Sequence, residues 1–142
     1  MMQLFQSWLW LRLVRVAFLV YVGLLVLLLL LENYLLYPAP KFPAGDWQAP
    51  YLRHEEVSFA AADGTQLVGW LAEHPSPQAV LMYCHGNGDC LGYLGPHLFE
   101  LRQRHRLTVF AFDYRGYGKS AGSPSEAGIL ADGHAAQLSV GA

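Results

Sequence analysis

The chain has 142 residues, with 9 Lys and Arg against 11 Asp and Glu, and a formal net charge of −2. It carries no basic stripe and no run of Lys/Arg, which argues against nucleic acid as a partner. Charged residues make up only 14% and apolar residues 54%, a skew that comes partly from the N-terminus and leaves room for one domain after it.

Val16 to Leu31 is an unbroken uncharged run, extended backwards by Leu9, Trp10, Leu11 and Leu13 and forwards by Tyr34, Leu35, Leu36 and Tyr37. About 20 apolar residues suffice to cross the ~30 Å hydrocarbon layer of a bilayer, so residues 1–37 are expected to form a membrane anchor, with residues 9–37 in contact with lipid. Arg12 and Arg15 can snorkel at one end, and Trp8, Trp10, Tyr34 and Tyr37 stand where interfacial aromatic belts stand. A cleaved signal peptide is the rival reading. Against it stand the length of the apolar core and the bulky stretch Glu32–Tyr37 where a small-residue cleavage site would fall. A buried core helix is the third. Both Arg residues precede the run and Glu32 follows it, so the positive-inside bias gives a single pass with a cytoplasmic N-terminus and an extracytoplasmic remainder. Lys41 and Arg53 weaken that bias.

Pro38, Pro40 and Pro43 exclude helix and predict a stiff, extended linker over residues 38–54. The domain proper is expected over residues 55–142. Glu55–Ala60 and Thr65–Ala72 read as strands around a loop holding Asp63-Gly64, an antiparallel hairpin. Pro75 and Pro77 mark a turn. Ala79–Cys84 is a short apolar run that suits a strand buried on both faces. Leu91–Arg104 reads as a helix with Leu91, Leu94, Leu98 and Leu101 on one stripe, and Thr108–Tyr114 as the next strand. In Ser123-Pro124-Ser125-Glu126, Ser123 is placed to cap a helix that begins at Pro124 and runs to about Leu138. Hairpin, strand, helix, strand, helix is an α/β order with a mostly parallel sheet.

Cys84 and Cys90 flank one loop. Free thiols, a loop-closing disulfide and a Cys84–His85–Asp89–Cys90 metal cluster are the three readings, and the last fits no common zinc spacing. Gly118-Lys119-Ser120-Ala121-Gly122 matches G-x-S-x-G, the nucleophile elbow. That elbow needs its Ser at the sharp turn between strand and helix, whereas Ser120 lies inside a loop and is expected to hydrogen-bond there.

Two signatures remain, each an apolar run that ends in a glycine-rich polar loop. One is His85-Gly86-Asn87-Gly88; the other is Asp113-Tyr114-Arg115-Gly116-Tyr117-Gly118-Lys119-Ser120, followed by Gly122-Ser123-Pro124. With the anchor, the Asp-Gly hairpin and Ser-Pro-x-Glu, their order resembles the α/β-hydrolase superfamily, in particular its membrane-anchored serine aminopeptidase-like and esterase-like members. The resemblance covers roughly residues 30–135.

It implies a Ser–His–acid hydrolase acting on ester, thioester or amide bonds of a small-molecule substrate, with no cofactor and no metal. It also implies that the Asn87 backbone N–H is an oxyanion donor, that His85, Gly86 and Gly88 shape the oxyanion loop, and that Asp113, Arg115, Gly116, Gly118 and Ser120 form a structural loop beside it. Asp132 reads as solvated or as a brace between helix and loop. His97, His105 and His134 read as ordinary helix or loop residues. The family's nucleophile, acid and base follow the second helix, so the chain is expected to be the first half of the fold, cut before the elbow and inactive as it stands. The alternatives are a non-catalytic membrane-anchored binding module and a vestigial fragment.

Overall fold

A computed structural model describes residues 2–141, with side chains from Trp8 onward except Leu9. Met1, Ala142 and the Leu9 side chain, which belong to the expected anchor and domain limits, lie outside the described residues. The chain divides into two compact units, residues 1–36 and 37–142.

The first unit is one helix, α1 (Met2–Leu36). Its stretch Trp10–Leu36 is long and apolar enough to cross a membrane, and none of it is buried against protein. Trp10 is 67% exposed and Leu30 76%. Leucines cost little rotamer freedom in a helix, so propensity and composition agree here.

The second unit is a four-stranded sheet in the order β1-β2-β4-β3, from β1 (Glu55–Ala60), β2 (Gln66–Ala72), β3 (Ala79–Cys84) and β4 (Leu107–Phe112), with helices α2 (Leu91–His105) and α3 (Glu126–Gly141). β1 and β2 form the expected hairpin, with Glu55 opposite Leu71 and Ala60 opposite Gln66. β2 pairs antiparallel with β4, and only β3 and β4 pair in parallel, so the sheet is mixed rather than mostly parallel.

The period-two alternation of β4 sorts the two faces. Val109 and Ala111 join Trp70, Ala72 and the α2 stripe Leu91, Leu94 and Leu98. Phe110 and Phe112 point the other way, onto Ala136 of α3 with Val57, Phe59, Leu71 and Met82. β4 is therefore the strand buried on both faces. β3, expected in that role, is an edge strand with Val80 54% exposed. Both runs are equally apolar, and the run alone does not say which strand is central.

Two other expectations are corrected. Residues 38–54 are packed into the domain and are no linker: Ala49 and Leu52 are fully buried, and Trp47 meets Trp70 edge-on at 5.7 Å. The prolines forbid helix, but the apolar residues between them still require burial. Pro96 makes the seat. It sits inside α2 without an N–H, which frees the carbonyl of Gly92, four residues back, and the N–H of Asp46 takes that carbonyl at 2.7 Å. Finally, α3 starts at Glu126, not Pro124, and its cap is Ser125, whose Oγ accepts the N–H of Gly128 at 3.2 Å. Pro124 instead lies against Gly116, where a Cβ would meet its Cδ at 2.6 Å.

Candidate functional site

The loop after β3 turns at once. Gly86 accepts the N–H of Asp89 at 3.2 Å, and Gly88, third in the turn, has φ +87°, the backbone that a type II turn asks of glycine. His85 is 6% exposed. Its Nδ1 lies 2.9 Å from the carbonyl of Gly86, and since a carbonyl only accepts, Nδ1 carries the proton. Nε2 then faces Asp113 Oδ1 at 3.6 Å, beyond hydrogen-bond length and closed to solvent. Burial lowers the imidazole pKa, partly offset by the Gly86 carbonyl and by Asp89.

Asp113 follows β4 and is fully buried. Its Oδ1 accepts the N–H of Leu91 at 2.9 Å, so a carboxylate from the next strand caps α2 where Cys90 offers no side-chain cap. Burial raises its pKa to about 7 against the pull of the Leu91 N–H. A Cβ at Gly118 would strike this carboxylate, which fixes a glycine there.

Arg115 and Asp132 form the second brace. Asp132 is fully buried and accepts the backbone N–H of Arg115 at 2.8 Å, Nε at 3.0 Å and Nη2 at 2.8 Å. The reading of Asp132 as a solvated residue is thereby overturned, and its reading as a brace between helix and loop holds. Arg115 Nη1 also reaches Asp63 of the hairpin turn at 2.8 Å. Two carboxylates around it hold the guanidinium pKa above its usual range. The ion pair joins the β1–β2 turn, the loop after β4 and α3, and is more than a surface contact. Gly128 makes room for it, since a Cβ there would meet Arg115 Cδ at 2.5 Å.

Ser120 does not project as a nucleophile. It is 7% exposed, its Oγ donates to the carbonyl of Asp113 at 2.7 Å, and it accepts the N–H of Val68 at 3.0 Å. Cys84 is exposed and Cys90 buried, both free. His97, His105 and His134 are exposed, and His97 packs edge-on against Tyr83 with ring centres 5.2 Å apart.

Three tyrosines complete the site: Tyr114 and Tyr117 were not singled out from sequence, and Tyr37, read there as part of the anchor, belongs to the second unit and lines the cleft. A cleft of about 270 Å³ is lined by His85, Gly86 and Asn87 together with Tyr37, Tyr114, Tyr117 and Ile129. Tyr117 donates its hydroxyl to Asn87 Oδ1 at 2.7 Å and packs against His85 with ring centres 5.2 Å apart. Burial raises the pKa of both Tyr114 and Tyr117. The three-residue spacing of Tyr114 and Tyr117 in the second signature is the sequence signal that could have found those two. A larger groove of about 470 Å³ lies between β1 and α3, but its lining of Phe59, Ala131, Ala135, Leu138 and neighbours gathers little polar chemistry.

No family model matches the chain. Protein YfhR of Escherichia coli strain K12 is 40% identical over 106 residues, which cover 70% of this chain and 35% of that protein. Protein bem46 of Schizosaccharomyces pombe is 34% identical over 88 residues, covering 60% and 29%. The alpha/beta hydrolase domain-containing protein 17B of Xenopus laevis is 38% identical over 66 residues, covering 46% and 23%. The chain thus spans about a third or less of the length of these relatives. Among solved structures, an esterase of Pyrococcus furiosus superposes with a TM-score of 0.59 at 24% identity, over 72% of this chain and 40% of the esterase, a likeness of fold.

Proposed function

Because the chain belongs to the α/β-hydrolase superfamily, we propose that it supplies the anchor and the oxyanion-binding part of a serine hydrolase acting on ester, thioester or amide bonds. α1 is the single membrane pass, N-terminus in the cytoplasm. Attack of a serine on the substrate carbonyl pushes an electron pair onto the oxygen, and in this reading the Asn87 N–H is the donor to that oxyanion. His85, Gly86 and Gly88 hold the loop in shape, and Asp113, Arg115, Gly116, Gly118 and Ser120 brace it. The observation that carries this reading is the type II turn of residues 86–89 opening directly on the cleft.

The serine, its histidine base and the orienting acid are assigned to no residue of this chain, so the 142-residue polypeptide is expected to show no turnover. The test is hydrolysis of a p-nitrophenyl ester by the purified chain and by Ser120→Ala. Activity that this substitution abolishes sinks the proposal. Where the downstream reading frame supplies a G-x-S-x-G strand–turn–helix, the extended enzyme should label with a fluorophosphonate. In that enzyme Asn87→Pro, which removes the N–H, is expected to lower kcat by about 10²–10³-fold. Asn87→Ala, which keeps the N–H, should cost much less.

A further inference from the structure

We infer that the cleft takes its ligand from the bilayer, and that the ligand is the acyl ester of a glycerophospholipid, its carbonyl at the loop of residues 85–88 and its chain along the tyrosines. This rests on the reading of α1 as an anchor and of the cleft as an acyl site.

The first observation is covalent. Tyr37 lines the cleft and is the residue next to Leu36, the end of α1. Consecutive Cα atoms lie about 3.8 Å apart, so the cleft wall begins one peptide unit past the helix at any angle between the two units. The apolar stretch of 27 residues up to Leu36 is about 40 Å long, ample for a hydrocarbon layer of ~30 Å. Its last residues therefore fall at headgroup depth, and Tyr34, 81% exposed, is of the residue type found there.

The second observation is the lack of slack. The carbonyl of Pro40 accepts the N–H of Gly118 at 2.8 Å, and the N–H of Phe42 donates to the carbonyl of Gly118 at 3.0 Å. The chain leaving the helix is thus fastened to the residue after Tyr117, which itself holds Asn87. The covalent path from Leu36 to the cleft wall is therefore short and carries no free linker between Tyr37 and the contacts of residues 40–42.

The third observation is the lining. Tyr37, Tyr114, Tyr117 and Ile129 bring aromatic and aliphatic surface, Asn87 brings amide chemistry, and among the described residues no Lys, Arg, Asp or Glu lines the cleft. Such walls suit an uncharged ester with an alkyl chain, while a charged headgroup stays in water.

The test reconstitutes the chain in phosphatidylcholine nanodiscs doped with a phosphatidylcholine bearing a diazirine on the acyl chain near the ester. Adducts are mapped by mass spectrometry after irradiation. A second variant carries about twelve Gly/Ser residues between Leu36 and Tyr37, about 20 Å of flexible reach, and keeps every contact of residues 40–42. A water-soluble butanoyl ester diazirine is run beside both. The expected result is adducts on Tyr37, Tyr114 or Ile129 in the native chain, falling about tenfold in the variant, whose tryptophan emission stays native. Lipid adducts confined to α1 overturn the inference, as do equal cleft adducts in the two proteins. Cleft labelling by the soluble ester alone overturns it while leaving the hydrolase reading standing. Failure of the hydrolase reading shows separately, as no turnover by the extended enzyme.

Discussion

At the scale of single residues, two buried carboxylates decide the behaviour of the loops, and they act in opposite ways. Asp132 is held by three Arg115 donors and has no water to turn to. Removing one partner of a buried pair strands the other, so Asp132→Ala should cost about 3 kcal/mol. Asp63→Ala, whose carboxylate is half exposed, should barely move the urea midpoint. Equal midpoint shifts for the two would contradict the arrangement. Asp113 is buried with a pKa of about 7, whereas an unfolded Asp titrates near ~3.9. Between those values the folded chain keeps a proton that the unfolded chain has lost, so this group takes stability away as pH rises from about 4 to about 7, and nothing further above that. His85, lowered by burial, works the other way: its contribution is lost as pH falls below its ordinary value of about 6.5. Asp113→Asn keeps an oxygen for the Leu91 N–H. Its stability relative to the native chain should therefore grow from about pH 4 to 7 and then level off, and curves that run parallel across that range would refute the assignment. At this scale the sequence was readable where glycine spacing announced a turn, as in residues 85–88, and where a motif conflicted with its context, as at Ser120. It was not readable at Asp132, because a helical Asp looks the same whether it meets water or a guanidinium from 17 residues away.

At the scale of elements, the legible features were those set by periodicity. The α2 stripe fell on Leu91, Leu94 and Leu98 as spaced, and the hairpin closed around its Asp-Gly. Which apolar strand is central was not legible, because that depends on pairing partners and not on the run itself. The stretch after α1 was misread for a related reason: proline signals an absence of helix and is silent about packing. Its seat on α2 is made by what is missing from two residues, the N–H of Pro96 and the side chain of Gly92. A Cβ at Gly92 would meet the Ala44 carbonyl at 2.5 Å and Trp47 Nε1 at 2.7 Å. Gly92→Ala gains up to ~1 kcal/mol of helix propensity, yet it should destabilise the domain by a net ~1–3 kcal/mol because a backbone carbonyl cannot step aside. A raised melting temperature by circular dichroism would show that residues 44–47 yield easily.

At the scale of the whole molecule, the described sheet has two outer strands, β1 and β3. β1 carries Glu55 and Glu56, charges that discourage another strand from pairing. β3, Ala-Val-Leu-Met-Tyr-Cys, has none. The 142-residue chain in detergent is therefore expected to self-associate along β3, and Val80→Lys, at an exposed position, should lower the oligomer fraction measured by light scattering after size exclusion. A strictly monomeric native chain would mean that something within residues 2–141 already guards that edge. Sequence order foretold the fold class, since hairpin, strand, helix, strand, helix admits few arrangements. It did not foretell where the domain starts, which lies at residue 37 and not at the first strand.

That starting point matters to anyone who wants the domain free of its helix. A protease cut at the Leu36–Tyr37 bond would release a body with Trp47, Ala49 and Leu52 still in their seats. A recombinant form begun at Glu55, the obvious choice from the strand boundary, would instead arrive with the α2 side of its sheet partly bare and should clump on purification. The useful scissile position is set by an unglamorous run of prolines, and trimming the chain one residue at a time from 37 to 55 would trace solubility falling away as each buried side chain is lost.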